Sequence, residues 1–462
     1  MSKHALELLN SVGFLDKNDD IVDLSRHKES ELKKIIAYYA NSRRKALEGE
    51  ISQIDISKGL SSLVSSISAK SDVPTILPSM LVYDRLLVDD PLFRLHREDS
   101  DFLRANNKML GLSMEENLEH KKVIDTLQFF KKLAPLMRHG MVFCLPLAGL
   151  HRPPTTKMAI NYSNDCFKSA VPDVVHDFIH DNAIISEMQP APDGKGFLIL
   201  GREPNKPTRA IMVTFQRDNA LSRHPFYLLH EMQPTAQLSD TRFAVTLNVP
   251  WDSPPNERDY RTWVYQSINK TIGHRLKAMS TEIAIAEKVG AVYTTESDFE
   301  AQLCGKLGLK DADHDAPADA VNFLRANEPR LRIDSAYSVL RLRLDNPQMF
   351  EQFQDTLIEV SSQLHGANDF DHKARRLLST EIIPQVLEIE TAAKKLRGAI
   401  TGAVLETSTT IGLALLSGES LPFATVLGLG TAMTAAKSFP SVSEYLSVRK
   451  RPAFIWRQIT RY

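Results

Sequence analysis

Apolar residues recur at helical spacing in some stretches of this chain and run together in others, so the pattern predicts both helices and strands. Between Glu115 and His139, Val123, Leu127, Phe130, Ala134 and Met137 recur at spacings of four and three, which sets them on one helix face. Pro135 predicts a kink in the last turn, and Gly140 a left-handed cap. Glu31 to Gly49 is a charge-rich helix with Ile35, Ile36, Tyr39 and Leu47 as its apolar side. Gln348 to Gln363 is amphipathic through Phe350, Phe353, Leu357 and Val360, and Ala374 to Leu396 continues as helix despite Pro384. Met80 to Val88 and Met141 to Pro146 read as strands, the second as one buried on both faces. Gly59 to Lys70 is rich in serine, and Pro74 and Pro78 are expected to break any helix there.

The centre changes period. Phe197–Arg202, Arg209–Gln216 and Arg242–Val249 read as strands, with Asp193-Gly194 and Pro204 to Pro207 as turns. Pro250 to Pro255 reads as a linker, and helices dominate from Glu257 onward, with Asp311 to Asp315 as an acidic loop. The fold class expected is helix-rich α+β. It has a small mixed sheet in the N-terminal part, where strand, helix and strand fit a β-α-β unit with parallel strands. An antiparallel sheet follows in the centre, and the C-terminal region is α-helical with an apolar hairpin. Four regions follow: 1–150 mixed α/β, 151–255 β-rich, 256–396 helical, and 397–462 an apolar hairpin with a basic tail.

Composition changes this picture little. With 43% hydrophobic and 24% charged residues the 462-residue chain is that of an ordinary globular protein, not of a disordered or polytopic membrane chain. Lys and Arg total 56 against 57 Asp and Glu, so no net field draws it to nucleic acid, and none is expected as partner. Cys144, Cys166 and Cys304 are widely separated and form neither a metal-type pair nor a disulfide framework, which fits a reducing cytoplasm. The first ten residues lack a long apolar core, so no secretory signal is read there.

One segment departs from this average. From Gly398 to Ala436 the only charged residues are Glu406 and Glu419. Ser417 to Ser420 divides the run into two apolar arms of about 16–18 residues, slightly short of the ~20 that a membrane helix needs. Gly398 and Gly402 would let two helix backbones approach closely. Leu405, Leu413, Leu416 and Leu427, with the interfacial aromatics Phe454 and Trp456, would contact a membrane or a partner helix. Lys394, Lys395, Arg397, Arg449, Lys450 and Arg451 flank the hairpin as candidates for lipid headgroups. Glu406 sits mid-arm, where a carboxylate at the bilayer centre costs about 2.5–3.5 kcal/mol, which argues against permanent insertion. The other reading of the hairpin is a pair of helices buried in a protein core.

Candidate chemistry is sparse. His176 and His180 are four apart beside Asp173, Asp177 and Asp181, a spacing at which neutral imidazoles can ligate a divalent metal, although no Glu follows the first His. Asp84, Asp89 and Asp90 lie in or just after a predicted strand, where carboxylates can hold Mg²⁺; the plainer reading is a solvated Asp-Asp-Pro turn. Asp311, Asp313 and Asp315 fail as a calcium loop for want of the glycine and the closing glutamate. No phosphate-binding loop, dinucleotide fingerprint or nucleophile elbow is present, and no cofactor is expected.

Leu81–Leu92, Leu133–Gly140, Phe350–Leu357 and the hairpin followed by Arg451-Pro-Ala-Phe-Ile-Trp456 resemble bacterial proteins of phage-defence and mobile loci. The resemblance covers about a fifth of the chain and carries no catalytic residue across. It implies a cytoplasmic accessory or immune protein. The function expected is a non-enzymatic antiviral-defence or accessory protein. It would sense or dock through its α/β part, and its C-terminal hairpin would associate with an anionic membrane or with a partner protein from the same locus. The alternatives are a metal-dependent hydrolase or nuclease using the Asp or His/Asp cluster, and a soluble scaffold.

Overall fold

The computed structural model describes residues 4–54, 59–66, 73–96, 120–147, 167–192, 197–218 apart from 202, 203 and 205, 226–240, 242–295, 297–307, 312–345 apart from 328–330, 332 and 334, 347–364, 369–388, 391 and 453–459. Over them the protein is α+β and helix-rich, with a parallel sheet built mainly from N-terminal strands, an antiparallel sheet in the centre, and helices towards the C-terminus. The chain forms two compact units. The first comprises Met1–Asp72, Arg85–Lys131 and Gly140–Asp311, and the second Val73–Asp84, Lys132–His139 and Ala312–Tyr462.

In the first unit, strands β1 (Ser61–Val64), β2 (Arg85–Asp89) and β3 (Val142–Leu145) lie parallel, and β10 (Ala291–Thr294) joins β1 on its other side. Every residue of β2 is buried, as a strand covered on both faces requires. The strand is shorter than expected, because Met80 to Asp84 form turns before it. The expected helix break at Pro74 and Pro78 is not seen: Val73–Ser79 is a short helix that holds Pro78 near its end, where only the last turn must do without that N–H. Two strands also correct the sequence reading. Ser61–Val64, in the serine-rich stretch to which no element was assigned, is a strand: strands on both sides complete its backbone bonds, and Ser62 Oγ lies 2.8 Å from Thr294 Oγ1. Ala291–Thr294 interrupts a region expected to be helical. Leu63, Leu87 and Leu145 of the sheet pack with Leu47 and Ile51 of the helix Glu29–Ser52 and with Ile285, Ala286 and Val289. That helix begins where the Glu31 carboxylate accepts the Lys28 amide at 3.1 Å.

The central antiparallel sheet runs β5 (Phe197–Leu200), β4 (Ala183–Pro190), β6 (Ala210–Phe215), β7 (Phe226–Leu228). Ile211, Val213 and Phe215 turn to a core shared with Val175 and Ile179 of the helix Asp173–Asn182, Ile268 and Ile272 of the helix Glu257–Lys288, and Phe299 and Leu303. Beyond β7 the chain forms a separate two-stranded ribbon, β8 (Glu231–Ser239) with β9 (Arg242–Asn248).

The helix His120–Arg138 buries Val123, Leu127, Phe130, Ala134 and Met137, the stripe expected of it, and Gly140 follows at φ 71°. In the second unit, Ala312–Ala326 is helix where an acidic loop was expected at Asp311 to Asp315. Pro347–Ser362 buries Phe350, Phe353 and Leu357. Before Pro384 the helix widens into a π turn, Leu378–Ile382, where the Ile383 amide donates to Leu378 O. A proline has no N–H for the regular ladder, and the wider turn accommodates it without ending the helix.

Candidate functional site

Asp84, Asp89 and Asp90, the alternative Mg²⁺ set, are engaged separately. Asp84, in the second unit, pairs with Arg343, whose Nη1 also donates to the carbonyls of Met80 and Tyr83 at 3.0 and 2.8 Å. In the first unit Asp89 is buried and pairs with Arg94, which also donates to Ser66 O. Asp90 caps the helix Pro91–Leu95, accepting the Leu92 and Phe93 amides at 3.0 Å each, and accepts Tyr39 Oη at 2.7 Å and Arg43 Nε at 3.2 Å. The pair is therefore not a solvated turn: both carboxylates are buried and answered by donors.

Open parallel sheets bind ligands beyond the carboxyl ends of their strands. Here that edge is occupied by the protein's own polar groups. The Ser66 amide and hydroxyl donate to Glu282. Thr295 donates to Glu300, and Arg275 holds Asp218 with Nη1 and Nη2 at 2.6 and 3.1 Å. The edge is thus fastened to the helices Glu257–Lys288 and Asp298–Lys306. Among the described residues no three His, Cys, Asp or Glu side chains gather as a metal set.

His176 and His180 do share a helix face, but both nitrogens of His176 and Nε2 of His180 already have protein partners. His176 Nε2 meets Tyr265 Oη and its Nδ1 lies 3.2 Å from Asp177; His180 Nε2 lies 2.8 Å from Asn269 Oδ1. The His180 ring is stacked on Tyr265 at 4.2 Å and lies against His176 at 4.5 Å. Burial, above all, pushes the His180 imidazole below its ordinary pKa.

Gly398, Gly402, Leu405, Leu413, Leu416 and Leu427, and the basic residues Lys394, Lys395, Arg397, Arg449, Lys450 and Arg451, lie outside the described residues. Among the described residues no helix is long and apolar enough to cross a membrane. Phe454 falls in the helix Ala453–Ile459. Trp456 is not an interfacial ring: it is 3% exposed and packs edge-on against Phe353 at 5.0 Å and Phe323 at 6.1 Å.

Sequence reasoning read β9 as a strand but missed its partner β8, and with it the fact that the two form a ribbon apart from the central sheet. Cross-strand partners point to one face. One face carries Met232 opposite Leu247, Pro234 opposite Val245, and Gln237 opposite Phe243. The other carries Glu231 opposite Asn248, Gln233 opposite Thr246, Ala236 opposite Ala244, and Ser239 opposite Arg242. Apart from Gln237 the first is apolar, and it bears no charge, yet Met232 is 60%, Phe243 55% and Val245 49% exposed. A register shift follows Pro234, which has no N–H to give to a ladder. The base of the ribbon is clamped by Arg209, whose Nη2 reaches Glu231 Oε1 at 2.8 Å and whose Nε reaches Ser253 O at 2.6 Å. Near it, Leu198, Ile199 and Leu200 of the edge strand β5 are also exposed, and Phe197 lies 6.0 Å from both Phe226 and Trp251. The alternation of Phe243, Val245 and Leu247 with Arg242, Ala244, Thr246 and Asn248 was the available signal.

Neither protein-family models, nor curated proteins, nor solved structures returned a match to this chain.

Proposed function

We propose that this chain is a non-enzymatic docking protein, an accessory component of bacterial antiviral defence that engages a partner protein through the apolar face of the β8–β9 ribbon. The C-terminal apolar hairpin would provide a second contact, to that partner or to an anionic membrane. The observation that carries the reading is an amphipathic ribbon whose apolar face is left open to water. Alternation along β9 specifies a face for burial, and a two-stranded ribbon is marginal in water without something packed on it. The absence of charge on that face suits an apolar protein surface and not nucleic acid. We assign the protein to the cytoplasm, with the reduced, buried thiols of Cys144 and Cys304 in support.

The test compares Phe243→Asp with Thr246→Asp, a change on the opposite face. Tagged full-length protein would be recovered from its native host, and the same variants challenged with phage. The expected result is that Phe243→Asp loses both the co-purifying partner and protection, while Thr246→Asp keeps both. Equal behaviour of the two variants refutes docking through this face.

A further inference from the structure

We infer that His230 is a proton-sensitive hinge for the β8–β9 ribbon: neutral, its ring stays packed at the ribbon's base, and protonated, it turns out to water and loosens the ribbon from the central sheet. The inference concerns how the ribbon is attached and holds whatever the ribbon docks against.

The attachment is narrow. β7 ends at Leu228 and β8 begins at Glu231, so Leu229 and His230 alone connect the central sheet to the ribbon's first strand. Leu229 stays with the sheet, its amide donating to Arg209 O at 2.8 Å. Glu231 belongs to the ribbon. The Arg209 guanidinium grips both neighbours of His230, Leu229 O at 3.5 Å and Glu231 Oε1 at 2.8 Å. A ring that leaves its place therefore shifts the backbone on which that clamp closes.

The ring at this point is poorly prepared for a charge. His230 is half-buried, and its Nε2 is fully buried without a hydrogen-bond partner. A neutral imidazole meets this condition by leaving Nε2 as a bare lone pair and carrying its proton on Nδ1. An imidazolium cannot, because both nitrogens are then donors, and a buried charged N–H without an acceptor is costly. Burial accordingly holds the His230 pKa below its ordinary value, and the Leu228 carbonyl acts less strongly in the opposite sense. The charged groups of the surrounding elements do not answer the proton. Glu231 is paired with Arg209. The helix Glu257–Lys288, joined to β7 by Tyr227 Oη and Thr271 Oγ1 at 2.8 Å, brings Lys270 over the Tyr227 ring and His274 one turn on, both of which would add positive charge. Asp252, in the segment that returns from β9, is exposed. Turning the ring out to water is the remaining way to accept the proton, and histidine titrates where cellular acidification can reach it.

The test is hydrogen exchange of the full-length protein at about pH 7.5 and about pH 5.5, with rates normalised for the intrinsic effect of pH on exchange. In wild type the β8 and β9 amides should lose more protection at the lower pH than those of β4 and β6, whose loss reports the unit as a whole. His230→Phe, whose ring takes no proton, should remove the ribbon's extra loss, and His274→Gln should behave as wild type. If circular dichroism shows His230→Phe to be unfolded, His230→Gln carries the same comparison. Ribbon protection that does not change with pH in wild type overturns the hinge. So does an extra loss of the same size in the His230 variants, or a loss in β4 and β6 as large as that in the ribbon. The docking reading stands or falls separately, on the Phe243→Asp comparison made at the higher pH.

Discussion

Arg43 and Asp90 form an ion pair at 3.2 Å in which neither side chain has any exposure. The pair is fully answered. Asp90 also accepts Tyr39 and two backbone amides, while Arg43 also donates to Glu50 and to the Cys144 carbonyl. Burial, and then the Asp90 carboxylate, hold the Tyr39 phenol well above its ordinary pKa, so it remains a donor. One carboxylate thus ties the helix Glu29–Ser52 to the end of β2 and to the start of the helix Pro91–Leu95, and Arg43 adds β3.

Removing one member of such a pair leaves a buried charge without its partner. Arg43→Ala should cost about 3–5 kcal/mol, and Tyr39→Phe, which deletes one hydrogen bond to a charged group, about 1.5–3 kcal/mol. Urea unfolding of the two variants checks both values. A cost below 1 kcal/mol for Arg43→Ala would mean that Asp90 is sufficiently solvated by other groups.

Arg209 is predicted to govern the ribbon's orientation without carrying the fold. It joins Glu231, at the start of β8, to Ser253, just after β9. Arg209→Ala should lower the protection of the β8 and β9 amides against hydrogen exchange, while those of β4 and β6 keep theirs. Arg209→Lys, lacking the planar fork, should restore only part of the loss. Unchanged exchange in the ribbon would show that its base is held by other contacts.

The legible parts of this fold were those in which a local pattern decides the outcome. The stripe from Val123 to Met137 and the apolar run at Val142–Leu145 each specify one element and its burial. Ser61–Val64 was illegible because serines are turn formers by propensity, and only β10 and β2 on either side make them a strand. Ala291–Thr294 is four residues long, too short for a period to register. The ion pairs have no local signal: Arg43 lies 47 residues from Asp90, and Arg343 lies 259 from Asp84. The ribbon is a different case. Its alternation is present in the sequence, but alternation says only that a face is meant for burial, and not that this chain leaves it uncovered.

Acid should weaken the first unit through its histidines. Burial depresses the pKa of His180, and in the same way those of His230 and His274, below the ordinary 6.5. The unfolded chain then binds more protons than the folded one as pH falls below 6.5. The stability that neutral His180 contributes is present above that pH and is lost as pH falls from 6.5 through the depressed folded value. Denaturant unfolding at a series of pH values should show a plateau above 6.5 and a decline below it, shallower in His180→Gln. An identical slope in that variant would assign the decline to other groups.

Trp456 separates two readings of the C-terminus. An interfacial ring would be exposed, and its removal would impair association while leaving stability intact. In the second unit the ring is instead buried, edge-on to Phe353 and Phe323, with Ile455 and Ile459 of the same helix buried beside it in sequence. Deleting an indole from such a site removes its transfer energy and leaves a cavity, so Trp456→Ala should cost about 3–5 kcal/mol. Phe353→Ala should cost a similar amount. Because the two rings touch, the double variant should lose less than the sum of the single losses. Chemical denaturation of the three variants measures the coupling. Wild-type stability in Trp456→Ala, or strict additivity with Phe353→Ala, would remove the aromatic contact from the core of this unit and return Trp456 to the surface.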